Sequence, residues 1–198
     1  MNTVIHPIKV VNMYTSVSGW EVSINTTSKS GMWSQLSPFT IGPCFVPGEV
    51  EPSKNMENAW QFAKVYKCHT DQSGNPTEAY WDWARSGWKD QKPHRYPMGR
   101  GARPEYSLWN GEKLGYVDAR KKIYGPLYID GVKNTEAYKE LVKLWQNGCK
   151  LVLRDYDGRT TTESLKEVVN NPHKKMGHAF VLSMMLQNDV EALKEFGR

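Results

Sequence analysis

The sequence has 198 residues, 39% of them hydrophobic and 12% aromatic, which is enough to fill one sizeable core, so we predict one domain. No stretch reaches the roughly 18 apolar residues of a membrane-spanning helix, and the first residues lack a secretory signal pattern, so we expect a cytoplasmic protein without membrane contact. The formal net charge of +5 favours anionic partners, although the basic residues are scattered along the chain.

The metal-binding residue types do not form a recognisable ligand set. Cys44, Cys68 and Cys149 are far apart and odd in number, which predicts neither a disulfide framework nor a zinc site. His173 and His178 would lie on different sides of a helix, and no third ligand accompanies them. We therefore expect no metal and no organic cofactor.

The first third of the chain predicts short strands, a loop and then a helix. Residues 4–41 are rich in Ser, Thr, Val and Ile with glycine between them, which is typical of short strands and turns. Residues 42–53 contain three prolines and predict a loop. Ser53 stands at an N-cap position, and the apolar spacing after it predicts a helix over residues 55–67.

The rest of the chain predicts mostly helices. These cover residues 78–86, 113–124 (ended by Gly125 and Pro126), 135–146, 175–186 and 190–196. Residues 87–104 are basic and rich in Gly and Pro, as in an ordered loop, while residues 150–154 predict a short buried strand. We therefore predict an α+β fold that is predominantly helical, with a few short strands.

One polar stripe lies within the helix predicted over residues 55–67. Glu57, Gln61 and Lys64 are spaced i, i+4 and i+7, which places them on one face. On composition alone this stripe is a solvated ladder worth a few tenths of a kcal/mol. The alternative is a face that carries chemistry.

A resemblance to a known family favours the chemical interpretation. The segment NMENAWQFAKVY, which contains all three polar residues, resembles the E-x-x-x-Q-x-x-K helix of the NADAR superfamily of N-glycosidases. Other blocks follow in the order of that family over residues 34–187, with an insertion at about residues 70–97. These blocks are LSPF at residues 36–39 (Pro38 standing where the family has asparagine), MGR at 98–100, Trp109, the helix at 119–128, LV with DYDG at 151–158, and KMG at 175–177.

The resemblance implies hydrolysis of the sugar–base N-glycosidic bond of an ADP-ribosyl or related nucleotide, such as ADP-ribose on guanine in nucleic acid, an NAD-derived nucleotide or a ribosylated pyrimidine. Such cleavage develops positive charge on the ribose, which a carboxylate stabilises while another group manages protons. We expect Glu57 to be this carboxylate, assisted by Lys64 and by Asp155 or Asp157. Lys64 could pair with Glu57, hold a phosphate, or attack an opened sugar as an amine.

Further residues are expected to bind the substrate. Gly99 and Arg100 lie in a basic glycine-rich loop, which can direct N–H groups and a guanidinium at a diphosphate. Trp60 and Trp109 could stack a base, with core packing as the other interpretation. The resemblance implies that Ser37, Phe39, Gln61 and Gly177 also bind the substrate.

A second class of function fits the same composition. A non-catalytic module that binds or sequesters a nucleotide or a nucleic-acid strand would also use basic charge and tryptophans.

Overall fold

The computed structural model describes residues 7–20 and 22–198, and a parallel sheet forms its centre. In this sheet β6 (Leu151–Asp155) lies between β1 (Ile8–Asn12) and β2 (Val22–Asn25) and runs parallel to both. Asn12 is the register partner of Asp155. The turn after β6 therefore leaves from the carboxyl edge of the sheet, which is where ligands bind in open parallel sheets.

The sheet is covered by a helix that is apolar on all sides. This helix, α7 (His178–Gln187), packs against β1 and β6, and nearly all its residues are buried. Leu151, Val152 and Leu153 of β6 have no exposed surface. A strand and a helix that are both apolar all round belong at the centre of a core, because no face of either is left for water.

The helix that carries the polar stripe is shorter than predicted. α1 (Met56–Phe62) begins after Asn55, whose side-chain oxygen accepts a hydrogen bond from the Asn58 N–H at 2.8 Å. Ser53 is not the N-cap, since its hydroxyl donates to the Asn55 carbonyl. The prediction of a helix to residue 67 was wrong because the chain turns into β3 (Lys64–Val65), which pairs with a strand some 40 residues later.

That partner belongs to a β-hairpin that the sequence analysis missed. β4 (Tyr106–Trp109) pairs antiparallel with β3 and with β5 (Glu112–Leu114). Asn110 and Gly111 form the hairpin turn with positive φ angles of 49° and 78°. Residues 113 and 114 therefore belong to a strand, not to the start of a helix as predicted.

The next helical stretch runs further than predicted. α3 (Tyr116–Ala119) is followed by a π-helical segment (Arg120–Tyr124) and by α4 (Gly125–Val132). The prediction that Gly125 and Pro126 end this helix was wrong, because both lie within it. Gly125 packs against the Phe196 ring where a Cβ would overlap it, and the widened π turn accommodates a proline that has no N–H to donate.

Most other helices lie close to their predicted positions. They are α2 (Glu78–Lys89), α5 (Glu136–Gln146) and α8 (Val190–Leu193), the last followed by a 3-10 turn (Lys194–Phe196). Among the described residues, three helical segments were not predicted: the 3-10 helices Gly31–Leu36 and Lys67–His69, and α6 (Leu165–Asn170), which begins with a capping box. Residues 4–6 and 21 of the stretch predicted as strands and turns lie outside the described residues. Within the described part of the chain, no helix has both the length and the apolar character needed to cross a membrane.

The contact between α1 and α2 provides a test of the core. Gly87 of α2 faces the Phe62 ring, and a Cβ at this position would overlap the ring. Gly87→Ala should therefore lower the free energy of unfolding by about 1–3 kcal/mol, although alanine favours helix. Ser86→Ala, at the exposed neighbouring position, should change it by no more than about 0.5 kcal/mol. Urea unfolding of both variants measures this, and equal stabilities would contradict the packing described here.

Candidate functional site

A cleft of about 910 Å³ opens at the carboxyl edge of the parallel sheet. Its walls come from α1, the turn after β6, the segment leading into α7 and the glycine-rich loop at residues 96–104. This volume is in the range of small-molecule sites. All the site residues expected from the sequence line this cleft except Trp109: Ser37, Phe39, Glu57, Trp60, Gln61, Lys64, Gly99, Arg100, Asp155, Asp157 and Gly177.

Trp109 lies elsewhere. It lines a smaller pocket of about 310 Å³ together with Trp81 and Trp88 of α2. Residue 109 ends β4 at the hairpin turn, and this turn packs beside α2, away from the sheet edge. The structure therefore does not bring Trp109 together with the other expected site residues.

The polar stripe consists of Glu57 and Gln61, which are buried in α1, and of Lys64, which is half-buried in β3. Gln61 joins its two charged members, since Nε2 donates to Glu57 Oε1 at 2.8 Å and Oε1 accepts from Lys64 Nζ at 2.6 Å. Glu57 is only 6% exposed, which excludes the solvated ladder. The Glu57 N–H donates to the Pro38 carbonyl at 3.0 Å, so the segment that contains Ser37 and Phe39 holds the start of α1.

Trp60 positions the amine of Lys64. The Lys64 ammonium lies 4.7 Å from the centre of the Trp60 ring, a cation–π contact, and Tyr124 packs edge-on against the same ring with centroids 5.4 Å apart. One face of Trp60 is therefore occupied by a side chain. This does not support base stacking on Trp60, and the buried ring instead fixes where the amine stands.

Burial moves the pKa values of the two charged groups towards each other. Desolvation raises the pKa of Glu57, opposed by its hydrogen bond from Gln61 and by the charges of Lys64 and Arg95. Desolvation lowers the pKa of Lys64 to about 8, opposed by the charge of Glu57. A large fraction of Lys64 is therefore a neutral amine near pH 8, the form that can act as a nucleophile or a base.

Asp155 is tied to the protein itself. Its Oδ2 accepts from the Ala179 N–H at 3.3 Å and lies 3.2 Å from Nδ1 of His178, so it anchors the first turn of α7. Gly177 packs directly on the carboxylate, where a Cβ would overlap Oδ2. The other ring nitrogen of His178 lies within hydrogen-bonding distance of Thr26. Asp155 and His178 thus hold the wall of the cleft together.

Asp157 is the more accessible of the two aspartates. It is about 30% exposed, and its carboxylate accepts from Arg95 Nη2 at 2.8 Å and lies 3.7 Å from Lys175 Nζ. The charges of Asp157 and Arg95 both act on the pKa of Glu57. Of the two alternatives, the geometry favours Asp157 as the carboxylate that a ligand can reach.

Arg95 was missed because it lies in the segment interpreted as an insertion. The buried side chain of Asn58 ties the end of this segment to α1: Nδ2 donates to the carbonyls of Asp90 at 3.0 Å and Lys92 at 2.9 Å, and Oδ1 accepts from the His94 N–H at 2.8 Å. Arg95 follows directly. A buried asparagine next to Glu57 was the available signal, but its partners are more than 30 residues away.

Cations surround an exposed tyrosine at the rim of the cleft. Arg95, Arg100 and Lys175 each place their charge 5.6–5.8 Å from the centre of the Tyr96 ring. Gly99 is left-handed, with a φ of 91°, which gives the loop its shape. The cleft therefore has buried carboxylates at its floor and positive charge at its rim.

The described residues contain no cluster of metal-binding side chains. Among residues 7–20 and 22–198, no three His, Cys, Asp or Glu side chains are arranged to hold a metal ion.

Compared with known proteins, the chain matches no family model, no curated protein and no solved structure. The resemblance noted in the sequence therefore stays a prediction.

The two aspartates should respond differently to substitution. Asp155→Ala removes the partner of a buried N–H and of His178, so the free energy of unfolding should fall by about 1.5–3 kcal/mol. Asp157→Ala removes partly exposed ion pairs and should cost less than about 1 kcal/mol. Urea unfolding distinguishes them, and a larger loss for Asp157→Ala would contradict these assignments.

The amine of Lys64 can be titrated by competitive labelling with acetic anhydride, read by peptide mass spectrometry. Because only the neutral amine reacts, the labelling rate of Lys64 should rise through an inflection near pH 8. Glu57→Gln removes a charge that raises this pKa, so the inflection should move to lower pH. An inflection near pH 10, or a shift to higher pH in the variant, would be inconsistent with the buried pair.

Proposed function

We propose that this chain is an N-glycosidase that hydrolyses the sugar–base bond of an ADP-ribosyl or related nucleotide. The observation that carries the proposal is the buried pair of Glu57 and Lys64, joined by Gln61 in the wall of a cleft of ligand size. Asp157, held by Arg95, lines the same cleft. These are groups that this chemistry uses, and protein contacts hold them in place.

The reaction breaks the bond from C1′ to the base nitrogen and forms a bond from C1′ to a water oxygen, while the base gains a proton. Positive charge develops on C1′ and the ring oxygen, and the carboxylate of Glu57 stabilises it. Asp157 orients the water or binds ribose hydroxyls. Lys64 has two roles open to it: as an ammonium it holds an anionic group, and as a neutral amine it adds to C1′ of the ring-opened sugar and displaces the protonated base, giving an imine that water then hydrolyses.

The charge distribution supports a nucleotide over an uncharged nucleoside. Phosphate groups suit the cationic rim formed by Arg95, Arg100 and Lys175, because guanidinium groups bind phosphate oxygens through paired hydrogen bonds. The ribose would then reach the acidic floor. The resemblance of NMENAWQFAKVY and the later blocks to the NADAR superfamily supports the same activity, with ADP-ribose on guanine in nucleic acid as one substrate it implies.

A second candidate is a non-catalytic module that binds a nucleotide or a nucleic-acid strand. The observation that favours it is the mouth of the cleft, where Tyr96, Tyr116 and Tyr156 are each 40% exposed or more beside the basic residues. Exposed aromatic rings among cations are typical of surfaces that bind single strands.

Glu57→Gln separates the two candidates. Wild-type protein should release free base from one or more of ADP-ribosylated guanine DNA, NAD and ribosylated pyrimidine, as measured by chromatography. Without the charge that stabilises the transition state, Glu57→Gln should lower kcat by about 10²-fold or more. Glu78→Gln, at an exposed position in α2, is the matched control and should retain full activity.

Binding of ADP-ribose, measured by calorimetry, completes this experiment. Retained binding with lost turnover in Glu57→Gln supports the hydrolase. Binding by the wild-type protein without release of base from any substrate would reject the hydrolase and support the binding module.

A further inference from the structure

Tyr124 lies in the cleft at a position that the sequence analysis did not single out. It ends the π-helical segment and lines the cleft beside Glu57 and Trp60. Its ring is held edge-on against Trp60, with centroids 5.4 Å apart. π-helical turns are rare and occur often at functional sites, because they change the direction in which a side chain projects.

Tyr124 lines the same cleft as Glu57, Asp155 and Asp157, and the charges of these carboxylates act on its hydroxyl. Burial and the charges of Asp155, Glu57 and Asp157 raise the pKa of Tyr124 well above its usual value. The hydroxyl therefore keeps its proton at every pH at which the protein works, and it can act as a hydrogen-bond donor.

Tyr128, one helical turn further on, provides an internal comparison. It is fully buried, and its hydroxyl donates to the Leu36 carbonyl at 2.6 Å. Among the side-chain hydrogen bonds of the described residues, none involves the Tyr124 hydroxyl. The hydroxyl is not among the buried polar atoms without a partner, and the half-buried Tyr124 lines the cleft, so a ligand in the cleft can accept from it.

We infer that the Tyr124 hydroxyl donates a hydrogen bond to a hydroxyl group of the substrate sugar at the floor of the cleft. The negative charges of these carboxylates disfavour a phosphate beside Tyr124, which favours a neutral acceptor. A sugar hydroxyl is both donor and acceptor, and it can accept from Tyr124 while donating to one of the carboxylates. A base carbonyl can only accept and would leave that carboxylate without a partner.

This inference rests on the proposed function only in the choice of a ribose-bearing ligand. It makes Tyr124 a specificity-determining residue, which distinguishes a sugar with the hydroxyl from one without it. Sites that bind a substrate hydroxyl reject analogues that lack it, because the polar groups of the site are then left unpaired.

The test uses calorimetric binding of ADP-ribose and of its analogues that lack the 2- or the 3-hydroxyl of the terminal ribose. Tyr124→Phe keeps the ring and removes the donor. We expect it to weaken ADP-ribose binding about tenfold, while leaving the binding of one of the two deoxy analogues unchanged. Thermal unfolding should show no loss of stability, since no protein group loses a partner.

Tyr128→Phe is the matched control, because it removes a hydroxyl that binds protein. It should lower the unfolding temperature and leave the affinity for ADP-ribose unchanged. The inference would be overturned if Tyr124→Phe lost the same affinity for ADP-ribose and for both analogues, or lost none. It would also be overturned if the wild-type protein did not bind ADP-ribose, or if Tyr124→Phe lost as much stability as Tyr128→Phe. If the binding results are as expected but the wild-type protein releases no base from any substrate, the proposed hydrolase activity is rejected and the role of Tyr124 in binding still stands.

Discussion

The amide of Gln61, in a helix that has no exposed residues, separates the carboxylate of Glu57 from the ammonium of Lys64, which follows the helix in β3. Glu57 and Lys64 would otherwise form a direct ion pair or remain unsatisfied, and either arrangement would be costly in a buried position. The amide donates to the carboxylate and accepts from the ammonium, so both charges are satisfied without contact. Because desolvation acts on both, the pKa of Glu57 rises and that of Lys64 falls to about 8.

The remaining walls of the cleft are built around this helix by buried polar side chains. Asn58 holds the segment that delivers Arg95, and Asp155 holds the first turn of α7. Each makes hydrogen bonds to backbone groups far away in the sequence, so each joins an element to the site. This separates residues that position the cleft from those that face it, such as Asp157 and Tyr124.

Much of the fold was predictable where the signal is local. The buried strand β6 and the helices α2 and α5 lie within a few residues of their predicted bounds, since apolar spacing and N-capping are read over a single element. The hairpin was missed although Asn110-Gly111 between two short strands is a recognised turn signal. The end of α1 could not be predicted, because Lys64 and Val65 leave the helix to pair with Ser107 and Tyr106.

The sequence by itself determined that Glu57 and Gln61 share a helix face and that Asp155 and Asp157 lie at the end of a buried strand, since both features depend on residues close together in the chain. Only the tertiary structure decided that this face is buried, that Asp157 rather than Asp155 is accessible, that Arg95 and Tyr124 join the cleft and that Trp109 does not. The physical reason is that burial and hydrogen-bond partners are set by contacts between segments 30 or more residues apart, which no local pattern encodes.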